Sequence, residues 1–214
     1  MGWEQDLISS LEAEIKKDEM ENLYDNGFYA NHEKYKPIYD FIGDIITVMF
    51  EPKSVIDWGC GTGFLLERLT EQGIQRLRGI EGSEDASKFW NDTVKDIIKV
   101  QNVLRYRAKE KYDMAVCMEV AEHIPANNSS RLVQNITDSS NNFVWWTAAP
   151  PGQGGTGHIN CRDVCYWIRE FESCGFIPKW EMTYEVKAQL LKISDIVQFY
   201  SWFRDNLTIF KRVK

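Results

Sequence analysis

The chain has 214 residues and carries 32 acidic against 25 basic side chains, a formal net charge of −7. That length suits one α/β domain with a sizeable core, and the acidic total disfavours nucleic acid as a partner, since a broad grip on phosphates needs clustered cations. No run approaches a membrane span, and the start, Met1-Gly2-Trp3-Glu4-Gln5-Asp6, lacks the basic region and apolar core of a signal peptide, so a cytoplasmic setting is expected.

From Trp3 to Met20 the residues Leu7, Ile8, Leu11 and Ile15 recur at helical spacing among acids and lysines, which predicts a surface helix docked by one stripe. Tyr24 to Tyr35 is aromatic, contains Gly27 and is poorly periodic; Tyr24, Phe28, Tyr29 and Tyr35 read either as core anchors or as a pocket wall with polar tips. Ile38 to Phe50 reads as a helix ended by Pro52. Strand one, Ser54 to Asp57, runs into a glycine turn and a helix from about Phe64 to Gln72. Strand two spans about Leu77 to Glu81, followed by a helix near Ser83 to Asn91 and a third strand at Ile97 to Val100. Strand four is Tyr112 to Met118, and strand five is Phe143 to Ala148. A helix from about Arg162 to Cys174, a sixth strand from Phe176, a helix near Leu190 to Tyr200 and a last strand near Leu207 to Lys211 complete the series. This alternation predicts a doubly wound, mostly parallel sheet with helices on both faces. Trp145 and Trp146 fall on opposite faces of strand five.

The turn is the most informative stretch: Val55-Ile56-Asp57-Trp58-Gly59-Cys60-Gly61-Thr62-Gly63-Phe64. Glycines there let a ligand approach the backbone without a Cβ in the way, and amides at the start of the following helix face that ligand. Glu81, at the end of strand two, stands where doubly wound nucleotide-binding folds place the acid that holds ribose hydroxyls. Asp57 to Gly63 resembles the first motif of class I S-adenosylmethionine-dependent methyltransferases, and the resemblance covers roughly Lys53 to Gly175. It implies a Rossmann-like sheet of seven strands with the last antiparallel, a domain over residues 37–214, and an N-terminal helix and lid over residues 1–36. It also implies S-adenosylmethionine as cofactor. Asp57 would lie near its methionine moiety, the backbone of Gly59, Cys60, Gly61, Gly63 and Phe64 would line it, and Glu81 with Gly82 would take the ribose. Asn102 and Val103 would meet the adenine, with Asn102 standing where an Asp is usual, and Glu119 would also bind the cofactor.

Ligands of such sheets bind beyond the carboxyl ends of the strands, and two polar clusters fall there. Glu119-Val120-Ala121-Glu122-His123 follows strand four, and Pro150 to Asn160, with four glycines and His158, follows strand five. The spacing Glu119, Glu122, His123 with a later His158 resembles the magnesium site of small-RNA 3′-terminal 2′-O-methyltransferases. Its E-x-x-E-H part is similar to that of the ubiquinone-biosynthesis O-methyltransferases. Two carboxylates and imidazoles can build a divalent site open to a substrate oxygen. The alternative needs no metal: His123 or His158, with Glu122, acts as general base toward a hydroxyl. Both histidines also have a purely structural reading.

The cysteines Cys60, Cys117, Cys161, Cys165 and Cys174 are odd in number and scattered, which fits reduced thiols, and no second pair accompanies Cys161 and Cys165 to build a zinc site. The cations Arg76, Arg78, Arg105, Arg107, Lys109 and Lys111 read as a solvated rim. The expected function is methyl transfer to an oxygen, or else a nitrogen, of a small-molecule acceptor, by a monomer or a homodimer. Two alternatives stand beside it: an RNA 3′-end or other nucleic-acid 2′-O-methyltransferase, and a catalytically silent protein that binds the cofactor to regulate.

Overall fold

The computed structural model of the chain describes residues 24–193 and 200–213. The helix expected over Trp3 to Met20 lies outside them. The segment after it forms a short helix α1 (Asn26–Ala30), capped by the Asp25 carboxylate accepting from Phe28 N, and a 3-10 turn (Asn31–Tyr35). Helix α2 (Lys36–Phe50) follows, with a proline in its first turn where a missing N–H costs nothing.

Strands β1 (Ser54–Trp58), β2 (Arg76–Glu81), β3 (Ile98–Val100), β4 (Tyr112–Met118), β5 (Ser140–Thr147), β6 (Phe176–Pro178) and β7 (Thr208–Arg212) form one sheet in the order β3-β2-β1-β4-β5-β7-β6. β1 to β5 pair in parallel, and β7 runs antiparallel to both β5 and β6. The order reverses at β1, so β1 and β4 diverge at the topological switch point where this class of sheet opens a crevice. Every residue of β1 is buried, as a central strand covered on both faces requires.

Helices α3 (Phe64–Glu71), α4 (Ser129–Ser139), α5 (Val164–Ser173), α6 (Trp180–Leu190) and α7 (Trp202–Asp205) complete the described elements. On one face Ile38, Ile42 and Ile46 of α2, Leu65 and Leu66 of α3 and Val186 of α6 bury Trp145; on the other, Leu132 and Ile136 of α4 and Trp167 and Phe171 of α5 bury Trp146 and Trp58. The strand pair Trp145 and Trp146 thus anchors the two cores, as its alternation predicts. Trp58 lies in the second core and donates Nε1–H to Ser139 Oγ at 3.1 Å. Among the described residues no helix is long and apolar enough to cross a membrane.

Three elements differ from expectation. The helix expected over Ser83 to Asn91 is only a 3-10 turn at Asp85–Phe89. Side chains capture its backbone: Ser83 Oγ accepts from Asp85 N and Ser87 Oγ donates to Glu84 O, while Trp90 Nε1 reaches Gly61 O at 2.8 Å. Helix α4 was not foreseen because its sequence, SSRLVQNITDS, is polar and rich in loop-forming residues. Leu132, Val133 and Ile136 nonetheless share one buried face, and buried Asn135 donates to Val103 O. The helix expected near Leu190 to Tyr200 is preceded by α6, which ends at Leu190; residues 194–199 lie outside the described set.

Candidate functional site

The site is assembled at the carboxyl ends of β1, β2, β4 and β5. Asp57 ends β1 but for Trp58, and the chain then turns through Gly59 and Cys60, whose amides both donate to Ile80 O of the neighbouring strand. Gly59 has φ +77, and a Cβ there would collide with Val120 Cγ2, so the turn after β1 and the turn after β4 touch only because position 59 is glycine. Gly63, also at positive φ, caps α3, whose first residue is Phe64. The Cys60 thiol is directed toward Gly79 in the sheet, and burial raises its pKa well above the ordinary value.

Glu81, 8 % exposed, faces this turn. Its Oε2 accepts Gly61 N at 2.7 Å, and its Oε1 accepts Ser83 N at 2.9 Å and the Tyr29 hydroxyl at 3.4 Å. Burial raises its pKa against the opposing pull of amides at Ser83, Gly61 and Gly82. Asp57 is 3 % exposed; burial first and the charge of Glu81 second push its pKa up to about 8. Two carboxylates thus share a small volume with no cation from the described residues between them, which suits a ligand that brings its own positive charge. Asn102 and Val103 lie just past β3: Asn102 is exposed with its Oδ1 accepting Leu104 N, and Val103 is buried.

The second half of the site is the loop after β4. Glu119 takes a left-handed conformation, φ +53, while Glu122 and His123 sit in a 3-10 turn (Ala121–His123). Ile159 N and Asn160 N both donate to Glu122 O, and Asn160 Nδ2 donates to Ser129 Oγ. These bonds clip the long loop after β5 onto the β4 loop and bring His158 beside His123, 4.9 Å between ring centroids. Gly155 backs the arrangement: a Cβ there would collide with His158 Nε2.

One ligand atom each from Glu122, His123 and His158 lie within 4.8 Å of one another. Glu119, expected in the same set, is not among the three, although its carboxyl group interacts with that of Glu122. Its carboxylate accepts Asn206 Nδ2 at 3.2 Å and Gln153 Nε2 at 3.3 Å, because the left-handed backbone turns it toward β7 and the β5 loop. Glu122 is fully buried, with Oε1 accepting Ala149 N at 3.3 Å and Oε2 without a partner. Burial and the Glu119 charge push its pKa up to about 9. Burial lowers His123 to about 4, so its imidazole is neutral at neutral pH. Nδ1 of His123 lies 3.2 Å from Gly157 O, and Nδ1 of His158 lies 3.2 Å from Gln153 O. A carbonyl can only accept, so these two contacts are hydrogen bonds when Nδ1 carries the proton; at His123 the Tyr24 hydroxyl, 2.7 Å from the same nitrogen, can donate to it in the other tautomer.

The described part of the N-terminal segment contacts both halves. Tyr24 reaches His123 and Tyr29 reaches Glu81, while His32 packs among Phe28, Tyr29 and Tyr35 beside Gly61. Of the aromatics read either as core or as pocket wall, Tyr24 and Tyr29 therefore line the site. Several supporting residues carried no signal in the sequence: Gln153 and Asn206 on Glu119, Asn160 on the loop clip, and Trp90 on Gly61 O. Each is an ordinary polar or aromatic residue whose partner is distant along the chain.

A family described as a methyltransferase domain matches residues 29–147, more than half of the chain, from the lid through β5. The chain belongs to this methyltransferase domain family. It is similar to a ubiquinone biosynthesis O-methyltransferase of Nitrosomonas europaea, 32 % identical over 111 residues, covering 44 % of this chain and 45 % of that protein. The chain spans about a third to a half of the length of the curated relatives it matches. Among solved structures, a magnesium protoporphyrin IX methyltransferase from Synechocystis PCC 6803 with bound SAH superposes with a TM-score of 0.56 at 17 % identity, over 68 % of this chain and 75 % of that one. A plantazolicin methyltransferase, in complex with a monoazolic desmethylPZN analogue and SAH, gives 0.56 at 16 % identity over 97 % and 94 %. At such identities these two establish the Rossmann-like fold, including its seven-stranded sheet.

Proposed function

We propose that the protein is an S-adenosylmethionine-dependent methyltransferase acting on an oxygen of a small-molecule acceptor, with residues 1–36 serving as a lid on a transferase domain over residues 37–214. One observation carries the reading: the β1 turn with Asp57 and Glu81, and the Glu122–His123–His158 trio, lie at the carboxyl ends of neighbouring strands and are both contacted by one N-terminal segment, through Tyr29 and Tyr24. Asp57 would take the methionine ammonium, the backbone from Gly59 to Phe64 would line the cofactor, and Glu81 with Gly82 would take the ribose hydroxyls. Asn102 and Val103 would border the adenine. Methyl transfer from a sulfonium asks mainly for alignment of the nucleophile. A neutral imidazole has one bare ring nitrogen, which can remove the proton of an acceptor hydroxyl.

A second reading of the same trio is favoured by the unpartnered Oε2 of buried Glu122, since buried carboxylate oxygens seldom go unmatched. Two imidazoles held at Nδ1 by backbone carbonyls, with one carboxylate, fit a divalent metal, and second-shell bonds of that type orient metal-binding histidines. The donor set, two nitrogens and one oxygen once Glu119 is removed, suits manganese, iron or zinc better than magnesium, which favours oxygen donors. When bound there, such a metal would acidify an acceptor hydroxyl. Glu122, His123 and His158 would be its ligands.

The test is calorimetric titration of S-adenosylhomocysteine into the protein, then of manganese, zinc and magnesium into the saturated complex. Tight binding of the homocysteine product is expected, and its absence would overturn the cofactor reading. Saturable metal binding lost in Glu122→Gln and His158→Gln would establish the metal reading; no binding would leave the imidazoles as the base.

A further inference from the structure

Glu81 is already engaged from within the chain. The Tyr29 hydroxyl donates to Glu81 Oε1 at 3.4 Å across 52 residues of sequence. Tyr29 is 4 % exposed and Glu81 8 %, so in this state the carboxylate is not open to an incoming ligand.

A carboxylate offers about four acceptor positions. On Glu81 the Gly61 amide takes one at Oε2, at 2.7 Å, and the Ser83 amide takes one at Oε1, at 2.9 Å. Both donors are backbone groups of the turns that follow β1 and β2. Tyr29 takes a third position, whereas a ribose diol held by both hydroxyls needs two. The tyrosine is the one donor of the three that can leave without unmaking a turn, and it offers the carboxylate what a ribose hydroxyl offers, an O–H. It remains a phenol, because burial and the charge of Glu81 raise its pKa far above the ordinary value.

The segment that carries Tyr29 is docked on the ground after β2. Ser83 Oγ donates to Tyr24 O at 3.1 Å, and the Tyr29 ring lies 6.3 Å from that of Phe89 in the 3-10 turn Asp85–Phe89. Phe28 and His32 flank it edge-on, at 5.2 and 5.5 Å between centroids. The hydroxyl is thus delivered to Glu81 by a packed element, the capped helix α1, and not by a free side chain.

We propose that Tyr29 is an internal competitor of the nucleoside: its hydroxyl holds the place of a ribose hydroxyl on Glu81, and α1 must release that carboxylate before the cofactor binds. The segment then acts as a plug in the free protein, and it reduces the apparent affinity for the cofactor by the fraction of molecules in which Glu81 is free. This inference rests on the reading of Glu81 as the acid that takes the ribose.

The experiment is calorimetric titration of S-adenosylhomocysteine into the full chain and into Tyr29→Phe, with hydrogen exchange of wild type measured with and without that ligand. Tyr29→Phe keeps the ring and removes the competing hydroxyl, so it should bind about three- to tenfold more tightly, the equivalent of one net hydrogen bond. In wild type the amides of Phe28 and Tyr29, which bond to Asp25 Oδ1 and Asp25 O, should exchange faster in the complex than in the free protein. A hydroxyl that helps to hold the ribose predicts the reverse on both counts, weaker binding by the variant and slower exchange in the complex, and either result would overturn the proposal. Should Tyr29→Phe fail to fold, the direction of the exchange change in wild type decides. Equal affinity of the two proteins would remove the competitor and leave the cofactor reading standing. Binding to neither would overturn the cofactor reading and the proposal with it.

Discussion

Replacing Asp57 by asparagine should make the protein more stable at pH 8 and a poorer binder of its cofactor. Asp57 is buried beside Glu81, and its pKa rises from 3.8 to about 8 in the folded chain. Between those values the unfolded chain has released a proton that the folded chain retains, so folding loses stability as pH rises through that window, at about 1.4 kcal/mol per pH unit for a full proton. Carried from pH 4 to pH 8 the loss would reach about 5 kcal/mol; entry of water and small shifts of the lid relieve part of it, leaving about 2 kcal/mol. Asparagine has nearly the same shape and no charge, and it also removes the repulsion felt by Glu81. For a chain of this size about 2 kcal/mol corresponds to a rise in melting temperature of about 6 °C. Differential scanning calorimetry of both proteins from pH 4 to pH 9 should give coincident melting near pH 4 and a gap that widens to pH 8. Titratable groups common to both proteins, apart from Glu81, cancel in the difference. The variant should meanwhile bind S-adenosylmethionine more weakly by about 1.5 to 3 kcal/mol, the worth of a hydrogen bond to a charged group. A gap independent of pH, or a wild type that melts higher at pH 8, would refute the reasoning.

Glu81→Ala should weaken cofactor binding by a similar about 1.5 to 3 kcal/mol and also free Gly61 N and Ser83 N, so unchanged affinity by calorimetry would remove Glu81 from the site. Gly155→Ala places a methyl group against His158 Nε2, and strain of this kind costs about 1 to 3 kcal/mol. It should therefore displace that ring and suppress metal binding or turnover while leaving cofactor affinity intact. Equal loss of cofactor binding would show that the loop after β5 supports the whole crevice instead.

The half of the site proposed for the cofactor was legible because its residues are local. Asp57, the glycines and Phe64 are consecutive, and Glu81 follows one helix and one strand later, so the spacing fixes their meeting once the strands are recognised. The half proposed for the acceptor was legible only in composition. Glu122, His123 and His158 could be named as candidates, but which of them meet depends on the bonds from Ile159 and Asn160 to Glu122 O, and backbone clips leave no mark on sequence. Glu119 shows the same limit from the other side. Its spacing to Glu122 suggests a shared ligand set, yet one backbone dihedral in the left-handed region sends its carboxylate to Asn206 and Gln153.

Secondary structure divides along the same line. β1 and β4 are runs of apolar residues whose burial any arrangement must satisfy, whereas α4 is a polar stretch that becomes a helix because Leu132, Val133 and Ile136 find the face of the sheet beneath Trp146 and Trp58. Tertiary packing there overrides local preference. The lid belongs to this second class as well. Nothing in the order Tyr24-Asp25-Asn26-Gly27-Phe28-Tyr29 says that one tyrosine will meet an imidazole and the other a carboxylate. The two contacts arise because a five-residue helix, capped by Asp25, spaces Tyr24 and Tyr29 to span the gap between the β4 loop and the end of β2. A lid anchored at both points cannot release one half of the crevice without disturbing the other, so cofactor and acceptor are expected to influence each other's binding through it, by equal factors in either direction.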